Sequence, residues 1–200
     1  LDSGGIPAFK GYTIRGEKTA YPASMCISVN DEVVHAIPRK SKILKEGEVV
    51  GLEIGMRWPA GGKHSALSKK GLFTDMAVTV GIGGVSKDAE RLIRVTKEAL
   101  EIGIRTARAG IHTGDISNAI QKHLEEHGLG VIRNLAGHGV GYELHEEPLI
   151  PNYGKCGSGP VLKEGMVIAL EPMATLGGWE VVLDSDRWTF RTRDGSVAAH

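Results

Sequence analysis

Three apolar stretches of this 200-residue chain each carry one carboxylate where burial opposes it. Glu53 sits inside VVGLEIGM (49–56), Asp75 sits inside LFTDMAVTV (72–80), and Glu171 directly follows MVIAL (166–170). Each stretch reads as a strand that enters a core. An unpaired carboxylate there is costly, or it titrates to neutrality. Lys and Arg do not occur within these runs, so the compensating positive charge is expected to be a bound cation. The plain alternative is a strand end that reaches solvent, or a bridge to an arginine from elsewhere.

A fourth segment bears on the same question. GHGVGYELHEEP (137–148) holds two histidines seven residues apart, three glycines and a pair of glutamates. In a regular strand that odd spacing puts His138 and His145 on opposite faces. Gly137, Gly139 and Gly141 permit bulges that bring both to one cavity. Carboxylates with imidazole suit Mn, Fe, Co or Zn better than Ca or Mg, which prefer all-oxygen cages. Three carboxylates with one or two histidines exceed what a single catalytic zinc takes, so two divalent metal ions are expected. Gly51 and Gly55, the same-face neighbours of Glu53, are expected to leave room for its side chain.

The remaining composition narrows the class. Basic and acidic residues balance at 24 each, so no bulk field recruits nucleic acid or anionic lipid. No apolar run is long enough to span a bilayer, and LDSGGIPAFKGY has no signal-peptide pattern. Cys26 and Cys156 make no disulfide framework and fit reduced thiols in the cytoplasm. Residues 25–30 and 33–38 read as a hairpin around Asn30 and Asp31. Residues 49–56 and 72–80 read as strands flanking a long loop, 58–71. A helix follows, capped by Ser86 and ending by Gly110, with Leu92, Ile93, Val95, Ala99, Leu100 and Ile104 inward; a second runs from Asp115 to His127. Hairpins, two consecutive helices and then further strands give an α+β fold, read as one catalytic domain over 1–200.

Taken together, GHGVGYELHEEP, MVIALEPM, YPASMCISVN and VVHAIP resemble the type I methionine aminopeptidases, in the same order from about Phe9 to the last residue. The resemblance implies a pita-bread fold, an antiparallel sheet covered by helices. It implies Glu53, Asp75, His138 and Glu171 as metal ligands, with Glu53 standing where the family has an aspartate. His145 would stabilise the tetrahedral intermediate, His35 would bond the substrate amide, and Glu171 would also shuttle the proton. Tyr12, Tyr21, Cys26 and Trp188 would line the methionine side-chain pocket, in which Leu144 replaces a usual phenylalanine. The implied substrate is the N-terminus of a nascent polypeptide, met at the ribosome by a cytoplasmic monomer, with no contact to nucleic acid or membrane. Insertions at 11–22 and 57–71 depart from the family. The chain is expected to be shortened at both ends, with a fifth glutamate ligand just past His200. A second reading is an impaired homologue that keeps the fold as a binding module.

Overall fold

A ten-residue antiparallel ladder forms the frame on which the acids hang. In the computed structural model, which describes residues 4–13, 19–59 and 71–200, strand β4 (Val49–Trp58) pairs along its whole length with β5 (Leu72–Gly81). The other edge of β4 takes two short strands, β1 (Ile6–Pro7) and β2 (Cys26–Val29). The side-chain alternation is inverted relative to an ordinary half-buried strand. Glu53 and Gly55 are buried while Ile54 and Met56 face outward, and on β5 Thr74, Met76, Val78 and Val80 are exposed. The polar face therefore points inward, which is where a site has to be.

The strand β3 (Glu32–Val34) follows β2 across a corner at Asn30, whose φ of 58° is left-handed. The expected hairpin does not form as a ladder. β2 pairs with β4, whereas β3 pairs with β12 (Phe190–Thr192), itself joined to β11 (Val181–Leu183). The corner therefore sends the two apolar segments it joins to different sheets, and β3 stops at His35, whose φ is 59°.

Helix α1 (Lys87–Thr106) starts as its sequence predicts, with the Ser86 hydroxyl accepting from the Ala89 amide. Leu92, Val95 and Ala99 are fully buried against Ile116, Ile120 and Leu124 of α2 (Thr113–Glu126). Ile104, expected inward, is 58% exposed because it lines an open cavity between α1 and β5, and the helix ends at Thr106 rather than near Gly110. Asp115 lies in the first turn of α2, accepting from the His112 amide, and does not start it.

After the helices come short strands only. β6 (Gly130–Val131), β10 (Ala174–Thr175) and β13 (Ala198–Ala199) form one small sheet. β7 (Ala136–Gly139), β8 (Glu146–Pro151) and β9 (Ile168–Ala169) form another, with a register shift between Gly137 and Gly139. That irregularity falls at His138, where the glycines predict it. Most of loop 58–71 and part of the 11–22 insertion lie outside the described residues.

Gly137 controls how closely β7 approaches β9. A Cβ there would strike the Ala169 carbonyl oxygen and come within 3.2 Å of the Glu171 amide nitrogen. Gly137→Ala is expected to destabilise the protein by about 1–3 kcal/mol, since both obstacles are backbone and β9 must shift. Urea unfolding of the metal-free protein checks this, and an unchanged midpoint would mean that β9 gives way freely.

Candidate metal and substrate site

The β4–β5 register decides where two of the acids meet. Glu53 lies across from Ala77 and Asp75 across from Gly55, so the two carboxylates are diagonal neighbours on one face. His138 enters from β7, and Glu171 from the segment after β9. The His138 Nε2 stands 2.9 Å from Glu171 Oε1 and 4.0 Å from Asp75 Oδ2. Its Nδ1 donates to the Gly139 carbonyl at 2.8 Å, which fixes the tautomer and leaves Nε2 to the carboxylates. The sequence expectation that Gly137 and Gly139 bring His138 and His145 together is met: the ring centroids are 4.4 Å apart. Donor atoms of Asp75, His138 and His145 lie within 4.8 Å of one another.

The electrostatics are those of crowded acids. Burial first, then the charges of Asp75 and Glu171, push the Glu53 carboxyl up to about 8. Burial and Glu171 push Asp75 up to about 7. Burial would raise Glu171 too, but the hydrogen bond from His138 and the nearby His200 hold it below the ordinary carboxylate range. Burial alone would lower His138, yet its bond to Glu171 brings the net shift upward.

A second buried glutamate shows what compensation by the protein's own charges looks like. Glu32 has Arg191 at 2.8 Å, Lys42 at 3.4 Å and Arg39 at 3.7 Å. Glu53, equally buried, has an Oε2 with no hydrogen-bond partner, and the charges acting on it are Asp75, Glu171 and His138. A partnerless buried carboxylate oxygen beside two further acids and an oriented imidazole fits a divalent transition-metal ion.

Against this cluster opens a cavity of about 250 Å³, lined by Phe9, Tyr12, Tyr21, Cys26, His35, Glu53, Leu144, His145 and Trp188. All four residues expected in a side-chain pocket, Tyr12, Tyr21, Cys26 and Trp188, are here, and Tyr21 stacks edge-on to Trp188 with centroids 5.2 Å apart. Cys26 faces Glu53 directly across the β2–β4 pair, and burial together with that carboxyl pushes its thiol up. His35 and His145 are both held low, at about 4, by burial first, so both are neutral imidazoles near pH 7. His35 Nδ1 is buried without a partner, and the Tyr12 hydroxyl stands 2.7 Å from His145 Nδ1.

Two residues escape sequence reasoning. Phe9 packs its ring over Gly55, where a Cβ would come within 2.6 Å of it. The space beside Glu53 expected from that glycine is thus taken by a pocket wall and not by the acid. His200 is the other: its Nε2 lies 3.9 Å from Glu171 Oε2, and its backbone bonds the Thr79 hydroxyl in both directions. A glycine inside a strand signals a close approach but not its partner, and a lone histidine at the end of SVAAH gives no signal.

The description of metallopeptidase family M24 matches residues 8–196. The methionine aminopeptidase of Clostridium acetobutylicum is 43% identical over 195 residues, which cover 98% of this chain and 71% of that protein. That of Aquifex aeolicus is 44% identical over 201 residues, covering 98% and 73%. A crystal structure of methionine aminopeptidase from Thermotoga maritima superimposes with a TM-score of 0.87 at 45% identity, over 98% of this chain and 72% of the other. The chain belongs to metallopeptidase family M24 and, within it, to the methionine aminopeptidases. Its α+β architecture is accordingly the pita-bread fold. Among the described residues no helix is long and apolar enough to cross a membrane.

The raised carboxyls generate a pH prediction for the metal-free protein. A folded-state pKa above the unfolded one means that the folded chain keeps protons the unfolded chain has released. The penalty is absent below about pH 4 and complete above about pH 8, so stability falls as pH rises through that window. Relative to Glu53→Gln, the metal-stripped chain should lose on the order of 3 kcal/mol between about pH 5.5 and pH 8.5. Urea unfolding at both pH values measures this. Parallel curves for the two proteins would show that Glu53 is not under this strain.

Proposed function

We propose that the chain removes an N-terminal methionine from nascent polypeptides whose second residue is small. One observation carries the reading: the apolar cavity and the acid–imidazole cluster share walls. Glu53 and His145 line the cavity, and His145 groups with Asp75 and His138. A side chain seated in the cavity brings its own backbone to the cluster.

Glu53, Asp75, His138 and Glu171 are the metal-binding residues in this reading, and they take two divalent ions drawn from Mn, Fe, Co and Zn. When bound, such ions polarise a peptide carbonyl, make water nucleophilic near neutral pH and receive the free amine. The remaining steps belong to the chain. Tyr12, Tyr21, Cys26, Trp188, Phe9 and Leu144 enclose an unbranched apolar side chain and exclude water from it. The Tyr12 phenol, which burial keeps protonated, donates to His145 Nδ1 and leaves Nε2–H to donate to the carbonyl oxygen as negative charge develops there. His35, neutral and unpartnered at Nδ1, bonds the substrate amide. Glu171, kept ionised by His138, accepts a proton from water and returns it to the leaving amine. The substrate class suits a cytoplasmic monomer that meets nascent chains at the ribosome, and Cys26 and Cys156, both free, suit a reducing compartment.

Two substitutions separate the roles. His138→Ala is expected to lower metal content, whereas His145→Ala should keep the metal and lose about 10²–10³ in turnover of a Met-Ala-Ser peptide. Metal analysis beside steady-state kinetics tests this, and loss of metal in His145→Ala would overturn the assignment. At Glu53, Asp is expected to be tolerated and Gln to weaken metal binding by removing the charge. Equal metal affinity in the parent, Glu53→Asp and Glu53→Gln would place this residue outside the site.

A further inference from the structure

A second group of metal-ligating side chains sits on the helix pair and shares no residue with the site above. Glu98 of α1, His123 of α2 and His127, which caps the end of α2, bring one donor atom each to within 4.8 Å of one another. The histidines are four apart on a helix, so one stands a turn above the other, with ring centroids 4.4 Å apart. His127 Nδ1 is 2.8 Å from the His123 carbonyl oxygen. A carbonyl only accepts, so Nδ1 donates and Nε2 is the nitrogen left to a ligand. The same device orients His138, and it is usual for an imidazole that binds metal.

The carboxylate is oriented as well. Arg94 holds Glu98 Oε1 at 2.7 Å, leaving Oε2 at 3.2 Å from His123 Nε2. Arg91 donates to the His127 carbonyl at 2.6 Å and anchors the end of α2. All three ligating residues are half-buried, so the cluster is ordered yet open to an entering ion. A hydrogen bond between Glu98 and His123 explains that contact alone; it does not explain a second imidazole with its free nitrogen in the same cluster.

We propose that Glu98, His123 and His127 form a separate transition-metal site that clamps the C-terminal half of α2 to α1. Two imidazoles and one carboxylate favour Zn²⁺ over Ca²⁺ or Mg²⁺ and leave a fourth position for water. No step of the hydrolysis uses this site, so its role is to brace the helix pair, and the inference does not depend on the proposed substrate.

Titrating Zn²⁺ into the full chain while following the imidazole ¹⁵N resonances by NMR tests the site. His35, His138, His145 and His200 report separately on the other cluster. The resonances of His123 and His127 are expected to shift together and to saturate with one equivalent at this pair. His127→Ala should weaken that event at least about tenfold while leaving Met-Ala-Ser hydrolysis unchanged, which also shows that the variant folds. Glu98→Gln should weaken it as well. Unmoved His123 and His127 resonances, or the same Zn²⁺ affinity at this pair in the parent and in His127→Ala, would overturn the proposal.

Discussion

Three carboxyl groups within one interior repel each other through a medium that screens them poorly, and much of this structure is arranged around that repulsion. Asp75 and Glu171 raise Glu53, Glu171 raises Asp75, and His138 acts against the rise at all three acids but overcomes burial only at Glu171, with His200 beside it. The protein has arginines and lysines to spare, yet Arg191, Arg39 and Lys42 are spent on Glu32. Glu32 is compensated by lysine and arginine side chains, whereas the ion-pair partners described for Asp75 and Glu171 are the histidines His138 and His200, and that difference leaves the acid cluster available to a metal ion.

The frame that enforces this is the β4–β5 ladder. Ten paired residues leave no freedom to slip, because a shift of one would turn Glu53 and Asp75 outward and bring Ile54 and Met76 in. Packing energy from the remaining fold, chiefly the buried inner faces of the helix pair and the strands beneath them, has to offset the cost of keeping the acids inside. The polar interior of the ladder is completed by Phe9 over Gly55, so the wall of the apolar cavity and the acid cluster are built on adjacent positions of one strand. Proximity of a side-chain pocket to a reaction centre, which an exopeptidase needs, follows from that adjacency.

Imidazole orientation by backbone carbonyls recurs in both histidine clusters. His138 is set by the carbonyl of its neighbour Gly139, and His127 by a carbonyl one turn earlier in its helix. In one case the strand irregularity at the glycines makes the contact possible; in the other, the last turn of α2, which His127 caps, does. His145 has a side chain for the same purpose, the Tyr12 phenol, which comes from a segment 133 residues away.

The sequence by itself determined the acid-bearing strands, the helix pair and its Ser86 cap, and the glycine-permitted meeting of His138 and His145. Each of these follows from local patterning: period, capping chemistry, or backbone freedom within a few residues. It also singled out the four residues Tyr12, Tyr21, Cys26 and Trp188, through their likeness to a family pattern and not through their spacing. Only the tertiary structure decided that β2 and β3 part company at Asn30, since which strand pairs with which depends on the competing edges of β4 and β12. It alone put Phe9 into the space of Gly55, brought His200 to Glu171, and left Ile104 on an open cavity beside β5. Those outcomes rest on contacts between segments far apart in the chain, about which local periodicity carries no information.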